Sequence, residues 1–102
     1  MDQDLQNLKA QIVTLVNPLK IILFGSRAKG NFNHSSDYDI LVIMPDGTNK
    51  RKTAQFLYQN IENINISYDF VVATENTLEK YSKSHHLIYF HALKDGIELY
   101  AA

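Results

Sequence analysis

Three short runs of β-branched and aromatic residues constrain this chain more than any other feature: Ile21 to Phe24, Tyr38 to Met44 and Ile66 to Ala73. Each has the length of a strand, and the first two stop sharply, at Gly25 and at Pro45-Asp46-Gly47. The segments around them follow a different period. Leu5, Leu8, Ile12, Leu15 and Val16 fall at helical spacing ahead of Pro18. Ala54, Leu57, Tyr58 and Ile61 form one face of a second helix that begins near Thr48 or Asn49. Asn76 followed by Glu79 has the form of a capping box, which starts a helix near Thr74 to Asn76. Another helical stretch, His86 to Lys94, ends at Asp95-Gly96, and Ile97 to Tyr100 is long enough for a last strand. Strands alternating with helices predict an α/β (α+β) domain, a mixed β-sheet covered by helices.

A chain of 102 residues with 45% hydrophobic content suits one domain over 1–102, with a core that needs no staples. With no cysteine, disulfides and thiolate metal sites are excluded. Met1-Asp2-Gln3-Asp4-Leu5 is acidic where a signal peptide would be basic, and no apolar run approaches the length of a membrane span. The expectation is a soluble, cytoplasmic protein with no membrane partner. A formal net charge of -1 argues against nucleic acid as the main ligand. Any polyphosphate must be met by a local cluster of charge.

The chemistry-bearing residues sit at strand ends. Asp37 and Asp39 lie two apart where the second strand begins, so both carboxylates leave one face about 6.6–7 Å apart at Cα. Like charges that close repel unless a cation lies between them. Magnesium suits them, because it prefers oxygen ligands and needs only one or two carboxylates beside phosphate and water. Asp69, between Tyr68 and Phe70 in the third strand, can join them if the second and third strands pair. Three acids around two metals can activate an attacking oxygen and stabilise a leaving pyrophosphate. Taken alone, Asp-x-Asp is more often a turn followed by a solvated strand residue.

Gly25-Ser26 follows the first strand directly, where glycine permits a sharp turn and close approach to the backbone. Ser26 can open a helical turn that welcomes an anion, and Arg27 and Lys29 add positive charge suited to a triphosphate. A Gly-Ser pair alone is a weak signal. The combination carries the information: Gly25-Ser26, ten intervening residues, then Asp37-x-Asp39, with an apolar strand ahead of each half. This pattern resembles the polymerase-β-like nucleotidyltransferase superfamily. The fuller strings Phe24-Gly25-Ser26-Arg27-Ala28-Lys29-Gly30 and Ser36-Asp37-Tyr38-Asp39-Ile40-Leu41-Val42 are similar to those of its short members, the minimal nucleotidyltransferases. The likeness extends over essentially the whole chain, to Asp69 and the closing Gly96-Ile97-Glu98-Leu99-Tyr100.

The resemblance implies a single-domain nucleotidyltransferase fold and a set of roles. Gly25 and Ser26 would hold the triphosphate of ATP, with Arg27 and Lys29 beside them. Asp37 and Asp39 would bind magnesium, in a two-metal site, and Asp69 would be the third acid that activates the acceptor. Asp69 is matched by strand context rather than by motif. Nothing in the chain reads as a separate acceptor-binding domain, so the acceptor is expected from a partner. Domains of this kind resemble the antitoxin of pairs whose toxin is a HEPN ribonuclease, which implies transfer of AMP from ATP to a tyrosine hydroxyl of that toxin. Two alternatives stay open: an antitoxin that acts by binding alone, and a transferase for a small hydroxylated molecule with its pocket across a homodimer. The donor base, the number of nucleotides transferred and the oligomeric state, with itself or with the toxin, are not legible.

Other features carry less. Arg27 and His34 have the arginine-x6-histidine spacing of HEPN ribonucleases, but those are helical bundles and this pair spans a glycine-containing loop. His86 and His91 are five apart, which misses the helical geometry of a shared metal, so these and His85 read as surface or partly packed residues. Lys50-Arg51-Lys52 reads as a solvated face that could also steer phosphate. Tyr58, Tyr68 and Tyr89 have apolar neighbours and read as packing residues.

Overall fold

The computed structural model of the chain describes residues 3–30, 37–81 and 94–102. Four strands, β1 (Lys20–Phe24), β2 (Tyr38–Met44), β3 (Tyr68–Thr74) and β4 (Ile97–Ala101), form one sheet in the order β3-β2-β1-β4. β1 is antiparallel to both β2 and β4, whereas β2 and β3 run parallel. The parallel pair requires a crossover, which the helix α3 (Lys50–Asn60) supplies. The other helices are α1 (Gln3–Val16), the single turn α2 (Ser26–Lys29) and α4 (Glu75–Tyr81). The expected mixed sheet covered by helices is what the chain forms.

Alternation along the central strands divides the core in two. Tyr38, Ile40, Val42 and Met44 of β2 join Ile21 and Leu23 of β1 and Phe70 and Val72 of β3 against Leu5, Leu8 and Ile12 of α1 and Leu57 of α3. Leu41 and Ile43 face the other way, with Ile22, Phe24, Ala73 and Leu78 of α4. Each fully buried Leu or Ile here contributes roughly 1.5–3 kcal/mol of transfer free energy. Because β2 is covered on both faces it reads as an almost unbroken apolar run. Asp39 is its one departure, and it stands at the end where the sheet opens to solvent.

Ends of elements follow local chemistry. α1 stops at Asn17, which takes a left-handed φ of 49° and donates its N–H to Val13 O at 3.0 Å, ahead of Pro18. The Asn49 side chain caps α3 by accepting from Lys52 N at 3.0 Å. The capping box expected at Asn76 and Glu79 is not how α4 begins. Thr74, the last residue of β3, accepts from Thr77 N at 3.4 Å through its hydroxyl, and Asn76 lies inside the helix with its N–H donated to Asp46 Oδ1 at 2.8 Å. Two neighbouring acceptors thus take free N–H groups of the first turn, and the helix begins at Glu75, within the stretch expected from the sequence. The third strand also starts at Tyr68 rather than Ile66, because β2, its pairing partner, begins at Tyr38. Most of the stretch His86 to Lys94 lies outside the described residues, as do His34, His85, His86, Tyr89 and His91. No helix among the described residues is long and apolar enough to cross a membrane.

Candidate functional site

β1 ends at Phe24, opposite Asp39 in the register of β1 with β2. The next residue, Gly25, turns the chain with φ 75° and ψ −157°, a region open to glycine and closed to almost every other residue. That turn brings the backbone of Gly25 against the Asp39 side chain. A Cβ at position 25 would overlap the carboxylate, with Asp39 Cγ at 3.3 Å and Oδ2 nearer still. Glycine is therefore required here by an acid of the same site, in addition to the phosphate approach expected from the sequence. Ser26 then opens α2, whose last turn closes through Gly30 N to Ser26 O at 3.0 Å. The first residues of a helix have no intrahelical acceptor for their N–H groups, so the turn leaves donors beside the acids.

The acids come together through the parallel pairing. Asp39 of β2 and Asp69 of β3 are partners in register. Paired residues on adjacent strands point to the same face, about 4.8 Å apart at Cα. Asp37 lies immediately before β2 and is exposed. The electrostatics show the crowding: burial, then the Asp69 charge, then the Asp37 charge push the Asp39 carboxyl above its usual range. Three negative side chains without a nitrogen or sulfur donor among them form a set of hard oxygen ligands, which suits magnesium. Among the described residues, however, no three acidic or histidine side chains converge closely enough to form a ready-made metal cage. Asp39 with one neighbour satisfies the smaller demand of magnesium, which keeps waters and phosphate oxygens in its remaining positions.

The cations expected beside the turn have partners elsewhere. The Arg27 guanidinium lies 4.3 Å from the centre of the Tyr38 ring, a side chain on the sheet face opposite to Asp39. Lys29 Nζ is 3.8 Å from Asp95 Oδ2, an ion pair between half-exposed groups. Lys50, Arg51 and Lys52 open α3 at the Met44 end of β2, roughly 16 Å along the strand from Asp39 at about 3.3 Å per residue. The largest cleft among the described residues, about 720 Å³ and lined in part by Lys20, Asp46, Glu75 and Glu79, also lies at that far end. Neither the basic run nor the cleft belongs to the acid site.

One residue that sequence reasoning treated as packing stands at the site. Tyr58 of α3 is 47% exposed. Its ring stacks on Tyr68 (centroids 6.3 Å apart, planes 8° apart) and tilts against Phe70 at 5.0 Å. Its hydroxyl accepts from Phe70 N at 2.8 Å and donates to Asp69 Oδ1 across a long 3.4 Å. Burial, opposed by the Phe70 N–H and reinforced by the Asp69 charge and hydrogen bond, holds the phenol above its usual range, so it stays a donor. The sequence signal was faint: a tyrosine one position beyond Leu57 belongs to the edge of the buried helical face, where a side chain can leave the core for the sheet margin.

Comparison with known proteins places this arrangement. Residues 6–102 match the family described as polymerase beta, nucleotidyltransferase. The fold is similar to that of a candidate nucleotidyltransferase from Sulfolobus solfataricus, with 19% identity, a TM-score of 0.66, and 97% of this chain and 78% of the other aligned. It is also similar to a chain in a crystal structure of a toxin-antitoxin with AMP-PNP, with 20% identity, a TM-score of 0.61, and 95% and 73% aligned. No curated protein matches the sequence. A family match over nearly the whole length, on a mixed sheet that sets a Gly-Ser turn beside an in-register pair of aspartates, has one reading: the chain belongs to the polymerase beta nucleotidyltransferase family.

Proposed function

We propose that this domain transfers AMP from ATP to a hydroxyl of a partner protein, and that it acts in this way as the antitoxin of a HEPN ribonuclease toxin. The observation that carries the transfer is the seating of the Gly25 backbone against Asp39, itself paired in register with Asp69. Donor and acid functions then share one corner of the sheet. Gly25 and Ser26 would hold the triphosphate through backbone N–H groups and the Ser26 hydroxyl. Arg27 and Lys29 are near enough in sequence to join them on leaving Tyr38 and Asp95. Asp37 and Asp39 would hold magnesium, with Asp69 as the third acid beside the acceptor. When bound, magnesium supplies charge stabilisation for the departing pyrophosphate and lowers the pKa of the acceptor oxygen. The acids position that ion, and Asp69 accepts the proton as the oxygen–phosphorus bond forms and the bond to pyrophosphate breaks.

The protein acceptor follows from what surrounds the acids. Asp37 and Asp69 are exposed, and the largest cleft among the described residues is at the far end of the sheet, which leaves the acids open to a docked protein surface. The likeness to a chain crystallised as a toxin-antitoxin with AMP-PNP supports the same reading. Intact-mass spectrometry tests it. The protein encoded beside this one, incubated with the domain, ATP and magnesium, should gain one AMP unit or a multiple and lose ribonuclease activity in step. Asp37→Asn and Asp39→Asn should prevent both, and Ser26→Ala should slow transfer. Silencing of the partner at unchanged mass would replace transfer by binding. AMP gained by a small hydroxylated molecule instead would replace the protein acceptor.

A further inference from the structure

We propose that Tyr58 is a positioning residue for Asp69: the hydroxyl of Tyr58, anchored at the open edge of the sheet, holds one oxygen of the Asp69 carboxylate and leaves the other for the acceptor and metal. This rests on the reading above that Asp69 belongs to the transfer site.

The argument begins with topology. β3 is the outer strand of the order β3-β2-β1-β4, so its backbone pairs with β2 on one side and, among the described residues, has no strand on the other. An outward N–H there needs a partner from a side chain or water. Phe70 N finds one in the Tyr58 hydroxyl at 2.8 Å, which pins the phenolic oxygen to the backbone one residue beyond Asp69. The ring behind that oxygen is held by stacking on Tyr68 and by Phe70. A phenol has one hydrogen and two lone pairs. With a lone pair occupied by Phe70 N–H and the ring fixed, the hydrogen is directed at Asp69 Oδ1, 3.4 Å away.

Asp69 is otherwise exposed on the strand, and a free carboxylate turns about its last torsion, presenting either oxygen. A donor on Oδ1 at the outer margin biases that rotation, weakly at 3.4 Å. The second oxygen is then available beside Asp39, the in-register partner on the inner side. Outer partners of this kind typically affect metal affinity or activity by tens of fold. The 3.4 Å separation places Tyr58 at the weaker end.

Tyr58→Phe is the test, because it keeps the ring and removes only the hydroxyl that joins Phe70 N–H to Asp69. In the metal-free domain the 13C resonance of the Asp69 carboxyl should move, while that of Asp46, at the far end of the sheet, should not. Mn2+ binding, read by electron paramagnetic resonance, should weaken roughly tenfold. The same substitution placed on Asp69→Asn should change Mn2+ affinity less than about twofold, since its effect runs through that carboxylate. For AMP transfer, kcat should fall roughly tenfold with KM for ATP unchanged. An unmoved Asp69 resonance overturns the proposal, and so does equal weakening of Mn2+ binding in both backgrounds, which would make Tyr58 a structural edge cap. An AMP unit found on Tyr58 itself would also overturn it, by making the residue an acceptor. A wild-type domain that transfers no AMP would refute the proposed function, and the Asp69 resonance would still decide on Tyr58.

Discussion

Replacing Gly25 by alanine should cost more stability than replacing Gly47, and Asp39 is a reason. Both glycines have positive φ, 75° and 91°, so alanine is strained at either. At Gly47 nothing lies within 4 Å of the new Cβ, and the cost is conformational, about 1–2 kcal/mol. At Gly25 the combination of φ 75° and ψ −157° is essentially reserved for glycine, which costs about 1–3 kcal/mol. The added Cβ also overlaps the Asp39 carboxylate, with Cγ at 3.3 Å, so that side chain must leave its rotamer at about 0.5–1.5 kcal/mol more. The sum for Gly25→Ala is about 1.5–4.5 kcal/mol. Urea denaturation of the metal-free domain measures both variants on one scale. Asp39→Ala removes the obstruction and should lessen the cost of Gly25→Ala, leaving the strain of the turn. Equal costs for Gly25→Ala and Gly47→Ala, or strict additivity of Gly25→Ala with Asp39→Ala, would refute the close packing of turn and acid.

Asp39→Asn should raise the melting temperature in metal-free buffer at pH 7. The folded pKa of Asp39 lies above its ordinary value of 3.8, so the folded state favours the protonated carboxyl. Its contribution to stability is present below that ordinary value and is lost as pH rises through the folded pKa. The advantage of the variant should therefore vanish near pH 3, and a lower melting temperature than wild type at pH 7 would contradict the crowding of the acids. Thr74→Ala should destabilise by about 1 kcal/mol through loss of the helix cap, whereas Asn76→Ala, whose backbone N–H keeps its bond to Asp46, should cost a few tenths, both measured by denaturant titration. Leu57→Ala, fully buried where α3 meets the sheet, should cost about 2–5 kcal/mol in the same assay.

By itself the sequence determined the elements whose signals are local. β2 begins and ends at Tyr38 and Met44 as its apolar run does, because proline and glycine close it and solvent opens it. α1 ends at Val16, ahead of Pro18, and the Gly-Ser turn followed by Asp37-x-Asp39 marked the family before any coordinate was needed. What depends on residues far apart in the chain was settled only by tertiary structure. The start of β3 followed its pairing with β2, and the cap of α4 went to Thr74 and Asp46 because the fold sets their oxygens at the free N–H groups of the first turn. The juxtaposition of Asp39 with Asp69, thirty residues apart, is a matter of strand order and register, which hydrophobic patterns do not specify. Arg27 over Tyr38, Lys29 beside Asp95 and the Tyr58 hydroxyl between Phe70 and Asp69 are likewise contacts of the folded chain. A sequence records which charges and donors exist. Folding assigns their partners, because an exposed side chain pairs with whatever the packed backbone brings within about 3–4 Å.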